Sequence, residues 1–321
     1  MPLDLLDIQG LTTHFFTRAG IIKAVDNLSL KLQKGHVLGL VGESGCGKTV
    51  TALSILNLVP PPGRIVSGRI FFEGRDLLIL SHDEMRSIRG ARISMIFQEP
   101  MTALNPVLTV GNQIAEVLTT HQDITKKKAL DSAVELLHSV GIPSPEKRIY
   151  EYPHQLSGGM RQRVMIAMAI ACKPSLILAD EPTTALDVTI QAHILELLGH
   201  IQTEMGMAMI LVTHDLGLIA ERAQEVAVMY TGRIVEQAGT LEIFANPQHP
   251  YTRGLIASIP KTGEDAGKRL RTIAGSVPQL YDLPKGCTFI TRCDIKTPQC
   301  TTEPGFVEVN PGHLVRCWQA R

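Results

Sequence analysis

The chain is short of aromatic residues, carries no excess charge of either sign, and has no apolar run of membrane-spanning length. Each shortage removes a class of function. Acidic and basic residues balance at 31 each, so no strong field draws the chain toward nucleic acid or an acidic surface. The longest apolar run, Val164 to Cys172, has nine residues, whereas a helix needs roughly 20 to cross a bilayer. Met1 to Gly10 carries two acids and no signal-peptide core. Internal repeats and low-complexity segments are also missing. The chain is therefore expected to be soluble and intracellular. With 44% hydrophobic residues and only 4% aromatic, its core is expected to be aliphatic and rich in small side chains. Six cysteines in a reducing compartment are expected as thiols. Four of them crowd the last 35 residues.

Length allows one large domain with a small appendage, or two modest domains, for 321 residues. Leu5 to Gln9 and Ala24 to Leu32 alternate apolar and polar and predict strands. Val37 to Val41 is apolar throughout, as in a strand buried on both faces. It runs into a glycine-rich loop and a helix over 48–58. Gly68 to Phe72 and Ile93 to Phe97 predict further strands. From Thr109 to about Ser139 apolar residues recur every three or four positions, which predicts helix, stopped by Gly141-Ile142-Pro143. Lys126-Lys127-Lys128 reads as a solvated helix start. A helix opening at Ser157 has a small face of Ala167, Ala169 and Ala171. Strand and helix then alternate through Leu176–Ala179, Ile190–Ile201, Ala208–Thr213, Leu216–Arg222 and Val226–Tyr230. That order predicts a mostly parallel sheet flanked by helices, with a helical insertion over about 98–157. Beyond about residue 240 prolines and glycines increase, periodicity fades and the cysteines appear.

Gly42-Glu43-Ser44-Gly45-Cys46-Gly47-Lys48-Thr49 matches G-x-x-x-x-G-K-[ST] between a strand and a helix. Backbone N–H groups of residues 44–49 can curl around a phosphate, helped by the N-terminus of the next helix. Glycine at 45 and 47 allows positive φ and close approach. Lys48 is expected to reach the β and γ phosphates, and the Thr49 hydroxyl to ligate Mg²⁺. The apolar strand Leu176–Ala179 delivers Asp180 and Glu181 at its C-terminal end, where ligands sit in open α/β sheets. Asp180 suits the outer shell of Mg²⁺. Glu181 suits orienting the attacking water, since phosphoryl transfer asks mainly for positioning and charge stabilisation. His214, after a sheet strand, can donate to a γ-phosphate. The amide of Gln98, at the entry to the helical insertion, can hold the water or Mg²⁺. Ser157-Gly158-Gly159 opens a helix and forms a second anion site. One chain thus holds two phosphate-binding devices far apart in sequence, which suits ATP clamped across a two-fold axis.

This set, over residues 1 to about 240, resembles the nucleotide-binding subunits of ABC transporters. The glycine loop, Gln98, the signature Leu156 to Gln162, Asp180-Glu181, Thr184-Ala185-Leu186-Asp187 and His214 stand in that family's order and spacing. The resemblance implies a P-loop NTPase cassette: an α/β fold with a mostly parallel core, antiparallel N-terminal strands and a helical subdomain. It further implies that Ser157, Gly158 and Gly159 of one subunit close over ATP on another. Glu181 then promotes hydrolysis, Asp187 joins the nucleotide-binding residues, and Phe15, with Phe16 adjacent, stacks on adenine. Cys46 occupies a variable position of the loop, and Thr184 stands where many members have serine. Asn246-Pro247-Gln248-His249-Pro250-Tyr251-Thr252-Arg253 and Gly275-Ser276-Val277-Pro278 resemble the C-terminal extension of dipeptide, oligopeptide and nickel importer ATPases. So does the stretch from Tyr152 to Ala167, and the likeness is nearest to the D-type ATPase of dipeptide permeases. Residues 1–240 are then the ATPase domain and 241–321 a small cysteine-rich extension.

Cys287, Cys293, Cys300 and Cys317 are spaced C-x5-C-x6-C-x16-C, which fits neither a C-x2-C zinc finger nor a ferredoxin run. Thiolates suit Zn²⁺, an iron–sulfur cluster, or simple packing. The resemblance favours a [4Fe-4S] cluster that staples the extension, with Zn²⁺ as the alternative. Cys172 is expected in the core. The implied assembly pairs this chain with a second ATPase subunit, more often a related one than a copy. Two membrane permease subunits and an extracytoplasmic binding protein complete it, and the chain sits peripherally at the cytoplasmic face of the plasma membrane. ATP and Mg²⁺ are the expected cofactors, and di- or oligopeptides the cargo. Nickel chelates are the rival cargo, and a soluble ABC ATPase acting on ribosomes or DNA is the rival class.

Overall fold

The computed structural model describes residues 4–184, 186–259 and 272–320. Two compact units are present: Met1–Leu78 with Leu211–Arg321, and Ile79–Ile210. In the first, alternation builds two long antiparallel strands, β1 (Leu6–Thr17) and β2 (Gly20–Leu32). Both outrun the sequence pattern. Gly10 adopts φ 59° and the register shifts between Ile8 and Leu11, so a bulge breaks the alternation without ending the strand. Strand β3 (Val37–Val41) is buried at every position and feeds the glycine loop, then α1 (Lys48–Ile55). Strand β4 (Gly63–Phe72) pairs antiparallel with β1, and β5 (Arg75–Asp76) with β4, giving the order β2-β1-β4-β5. Helix α1 packs on β1 and β2, with a buried 2.9 Å hydrogen bond between the Thr13 and Ser54 hydroxyls.

The second unit opens with α2 (His82–Ile88), started by a capping box between Ser81 and Glu84. Strand β6 (Ile93–Ile96) and the short helix α3 (Pro100–Ala103) follow. The helical pattern over 109–139 is two helices, α4 (Val110–His121) and α5 (Lys126–Ser139). Gln122 leaves helical geometry, and the Thr125 side chain restarts the helix by accepting the Lys128 N–H. Apolar spacing continues on both sides, which is why the break is silent in the periodicity. Helix α6 (Pro145–Arg148) leads to α7 (Gly158–Ile170), against which α3, α4 and α5 pack. Its Ala167 and Ala169 are buried, as their size predicts. Strand β7 (Leu176–Asp180) pairs in parallel with β6, and α8 (Val188–Met205) packs on α7.

Strand β8 (Ala208–Thr213) carries the chain back to the first unit. There α9 (Leu216–Arg222) packs on β3, and β9 (Glu225–Tyr230) pairs in parallel with β3. Strand β10 (Arg233–Gly239) is antiparallel to β9, so this sheet is mixed. Beyond residue 240 the chain is more regular than its composition predicts. Helices α10 (Thr240–Ala245) and α11 (Pro250–Ala257) precede a hairpin of β11 (Val307–Asn310) and β12 (His313–Val315). Strand β12 pairs with β10, which joins the C-terminal segment to the sheet by main-chain hydrogen bonds.

A buried carboxylate fastens that junction. Glu236 on β10 is fully buried and accepts the Gln248 N–H at 2.6 Å, the His249 N–H at 2.9 Å and His313 Nε2 at 2.8 Å. Glu236→Leu leaves these donors buried without an acceptor, so a loss of about 3 kcal/mol or more is expected in urea unfolding. His249 is also buried, and its Nδ1 accepts the Tyr251 N–H at 3.0 Å. Burial, reinforced by the charge of Arg253, pushes its pKa down to about 3. The unfolded chain takes up a proton near pH 6.5 that the fold refuses, so His249 costs stability as pH falls from 6.5 toward 3. Urea midpoints of the parent are expected to drop more between pH 7 and 5 than those of His249→Asn. The difference should approach about 1.4 kcal/mol per pH unit below 6.

Candidate functional site

The glycine loop is shaped by carbonyl groups pressed against it. A Cβ on Gly47, at φ 108°, would lie 2.1 Å from the Ala24 oxygen, and one on Gly42, at φ 155°, 2.2 Å from the Met229 oxygen. Only glycine fits at either place. Gly45 has φ 77° and open space around it, so its requirement is conformational alone. The Cys46 carbonyl accepts the Gly232 N–H at 2.8 Å, and the Cys46 side chain is buried. Helix α1 begins at Gly47 with no side-chain cap. Lys48 is buried, its ammonium donating to the Gly42 oxygen at 2.8 Å and the Glu43 oxygen at 3.2 Å. Ser44 and Thr49 are exposed.

In the second unit, Asp180 closes β7 and is buried. Glu181 follows at φ 45°, a left-handed turn that swings its side chain out of the strand direction. Gln98 Nε2 donates to Glu181 Oε2 at 3.0 Å, and the Thr184 hydroxyl donates to the same oxygen at 2.9 Å. The structure thus brings Gln98 to Glu181, although 83 residues separate them. It also gives Thr184 a task that its position in the chain did not reveal. No sequence signal marks that contact beyond a hydroxyl three residues after a carboxylate. Ala185 lies outside the described residues.

Ser157 caps α7, its Oγ accepting the Met160 N–H at 3.3 Å. A Cβ on Gly159 would meet Ile190 at 2.8 Å, so this glycine lets α7 sit tightly on the start of α8, while Gly158 has ordinary contact room. Asp187 caps α8 through a 3.0 Å bond from the Ile190 N–H. In the first unit, exposed His214 follows β8, and Asp215 caps α9 beside it. Phe15 lies opposite Gly63 on β4, where a Cβ would be 2.7 Å from both the Phe15 ring and Val59. The neighbouring Phe16 ring carries the Arg64 guanidinium at 4.3 Å.

Comparison with known proteins settles what these parts belong to. The ABC transporter family model matches residues 25–184, and that of the oligopeptide/dipeptide transporter C-terminal region matches 235–300. The dipeptide transport ATP-binding protein DppD of Bacillus subtilis is 50% identical, with 98% of this chain and 94% of that protein covered. DppD of Haemophilus influenzae is 53% identical over 93% of this chain and 90% of that protein. The chain belongs to the ABC transporter ATP-binding family. It is an ATPase whose hydrolysis is coupled to transport. Its fold is that of an ABC cassette. The dimeric post-hydrolysis structure of the ATP-binding cassette MJ0796 with ADP and Pi superposes with TM-score 0.66 at 27% identity, covering 73% of this chain and 98% of that one.

One expectation about this ABC subunit finds no support in the structure. Among the described residues, no group of three or more His, Cys, Asp or Glu side chains is disposed to hold a metal ion. The four-cysteine ligand set of Cys287, Cys293, Cys300 and Cys317, for [4Fe-4S] or Zn²⁺, is therefore not supported. Burial raises the pKa of Cys287, Cys293 and Cys317, and charge on the other thiols raises it further. All four are free thiols, with Cys300 buried. Cys172 is half-buried rather than a core residue.

The grip on Glu181 makes the Thr184 hydroxyl testable. In steady-state ATPase assays Thr184→Ser is expected to keep near-parental turnover. Thr184→Val is expected to lower kcat about tenfold, with ATP affinity within about twofold, because one hydrogen bond to a charged group is lost.

Proposed function

We propose that this chain is one of two ATPase subunits driving a peptide importer, and that ATP is clamped between its loop 42–49 and the tip of α7 on a second cassette. Residues 1–240 act as the cassette, with 98–157 as the arm that passes motion outward, and 241–321 as an extension. The N–H groups of residues 44–49 and the Lys48 ammonium hold the phosphates, with Phe15 against the adenine. Ser157, Gly158 and Gly159 present helix N–H groups from the partner side, and Asp187 orders the turn beside them. The hard oxygens of Thr49, Gln98 and Asp180 suit a Mg²⁺ that takes most of its ligands from phosphate and water. When bound, that ion neutralises charge on the transferring phosphoryl group. Glu181 orients and polarises the attacking water, and His214 donates to the γ-phosphate oxygen.

The observation that carries this reading is the convergence of Gln98 and Thr184 on one oxygen of Glu181. Held from two sides, that carboxylate keeps one orientation, which is what water positioning requires. Partner architecture draws on other features. Among the described residues no helix is long and apolar enough to cross a membrane. The path for cargo is assigned to separate permease subunits, in keeping with the relatives named as transport ATP-binding proteins. Met101, Val107 and Tyr150 are exposed, the last two at 75% and 70%. Bonds from Val110 N to Glu151 O and from Gly111 N to Ile149 O bring Tyr150 beside the start of α4, close to Val107 in the chain. An apolar surface there suits docking to a permease at the cytoplasmic membrane face. The relatives named for dipeptide transport favour peptide over nickel chelate as cargo. An extracytoplasmic binding protein would deliver it. A related ATPase subunit is the more natural partner than a copy.

Glu181→Gln keeps the shape and removes the charge. It is expected to retain ATP binding while lowering hydrolysis at least about 100-fold. Turnover equal to the parent would refute the catalytic assignment.

A further inference from the structure

Glu43, the second residue of the glycine loop, is held at both main chain and side chain by residues more than 200 positions away. Its N–H donates to the Tyr251 Oη at 2.8 Å across 208 residues. Its carboxylate takes a two-pronged contact from Arg292, Nη1 to Oε2 at 2.6 Å and Nη2 to Oε1 at 3.0 Å. Such a fork fixes orientation as well as distance. The Arg292 side chain is only 3% exposed, and its Nε donates to the Ala274 oxygen at 3.1 Å. The Tyr230 and Phe289 rings each lie 5.8 Å from the guanidinium. Tyr251 is fully buried, 4.7 Å from Tyr230 and 5.6 Å from Phe289 between ring centres. These residues pack into one wall, and the loop is bonded to it through Glu43.

That residue also carries the lysine. The Glu43 carbonyl accepts from Lys48 Nζ, as the Gly42 carbonyl does. The Glu43 N–H shares its peptide plane with the Gly42 carbonyl, so anchoring it sets where that acceptor points, while the grip on the carboxylate holds the residue from which the Glu43 carbonyl departs; together they set the rest position of the ammonium. We propose that Tyr251 and Arg292 are positioning residues of the phosphate loop, through which the C-terminal segment sets the affinity of the cassette for ATP. The proposal rests on loop 42–49 being the phosphate site. Neither residue touches nucleotide in this scheme, and both act through Glu43.

The test uses the full-length protein with ATP as the probe, its Kd measured by calorimetry and its KM and kcat by ATPase assay. Tyr251→Phe and Arg292→Gln are each expected to raise Kd and KM about threefold to tenfold, with kcat at saturating ATP within about twofold of the parent. Arg292→Lys, which keeps charge but not the fork, should fall between. In a Glu43→Gln background, Arg292→Gln should add almost nothing, because the two changes remove one interaction. Unchanged ATP affinity in folded Tyr251→Phe and Arg292→Lys overturns the proposal, as does full additivity with Glu43→Gln. Tyr251→Phe loses a single hydroxyl, so it decides the matter if Arg292→Gln does not fold. Lys48→Ala separates the two readings. If it keeps parental affinity, the loop assignment itself is wrong. If it loses ATP while Tyr251→Phe and Arg292→Gln do not, only the positioning role fails.

Discussion

The glycine loop can take its course only with glycine at two positions, because two neighbouring carbonyls lie closer to it than any side chain would permit. Ala24 on β2 presses against Gly47, and Met229 on β9 against Gly42. These contacts are with main chain, which cannot rotate aside as a flexible side chain can. The loop geometry thus depends on β2 and β9 being in place, and β9 is placed by its parallel pairing with β3. Everything after the loop inherits that constraint. Helix α1 starts after Gly47, which has no side chain to cap it, and Lys48 folds back onto the carbonyls of Gly42 and Glu43.

A parallel logic governs the carboxylate end of the second unit. Strand β7 is buried throughout, so its last residues emerge from an apolar environment where charge is expensive. Asp180 remains within it, whereas Glu181 leaves through a left-handed turn and is met by the Gln98 amide and the Thr184 hydroxyl. Non-glycine residues adopt that conformation at a cost, and such strain concentrates where a side chain must be aimed. The C-terminal segment obeys the same economy of buried charge. Glu236 is tolerated at zero exposure because main-chain donors and an imidazole face it, and Arg292 because Glu43 does.

Much of the chain is legible in its sequence. The glycine loop, the buried β3 and β7, and the capped start of α7 follow from patterns with a local physical cause. The misses are equally specific. The bulge at Gly10 hid half of β1, because a slipped register destroys alternation. The gap between α4 and α5 left no mark, because its ends are set by the Thr125 cap rather than by hydrophobic spacing. Segments after 240 looked irregular since their order comes from pairing with β10 and from burial of His249 and Tyr251, not from periodicity. The four late cysteines drew a metal assignment that their disposition does not support.

Sequence by itself determined the chemistry on offer: a lysine after a glycine loop, two carboxylates after an apolar strand, and a serine-glycine helix start. Those are short-range facts, since each depends on residues within one turn or one strand. Only tertiary structure decided which groups meet. Gln98 and Glu181 are 83 residues apart, and Glu43 and Arg292 are 249 apart. Contacts at such separation depend on how whole elements pack, and no local pattern encodes their partners.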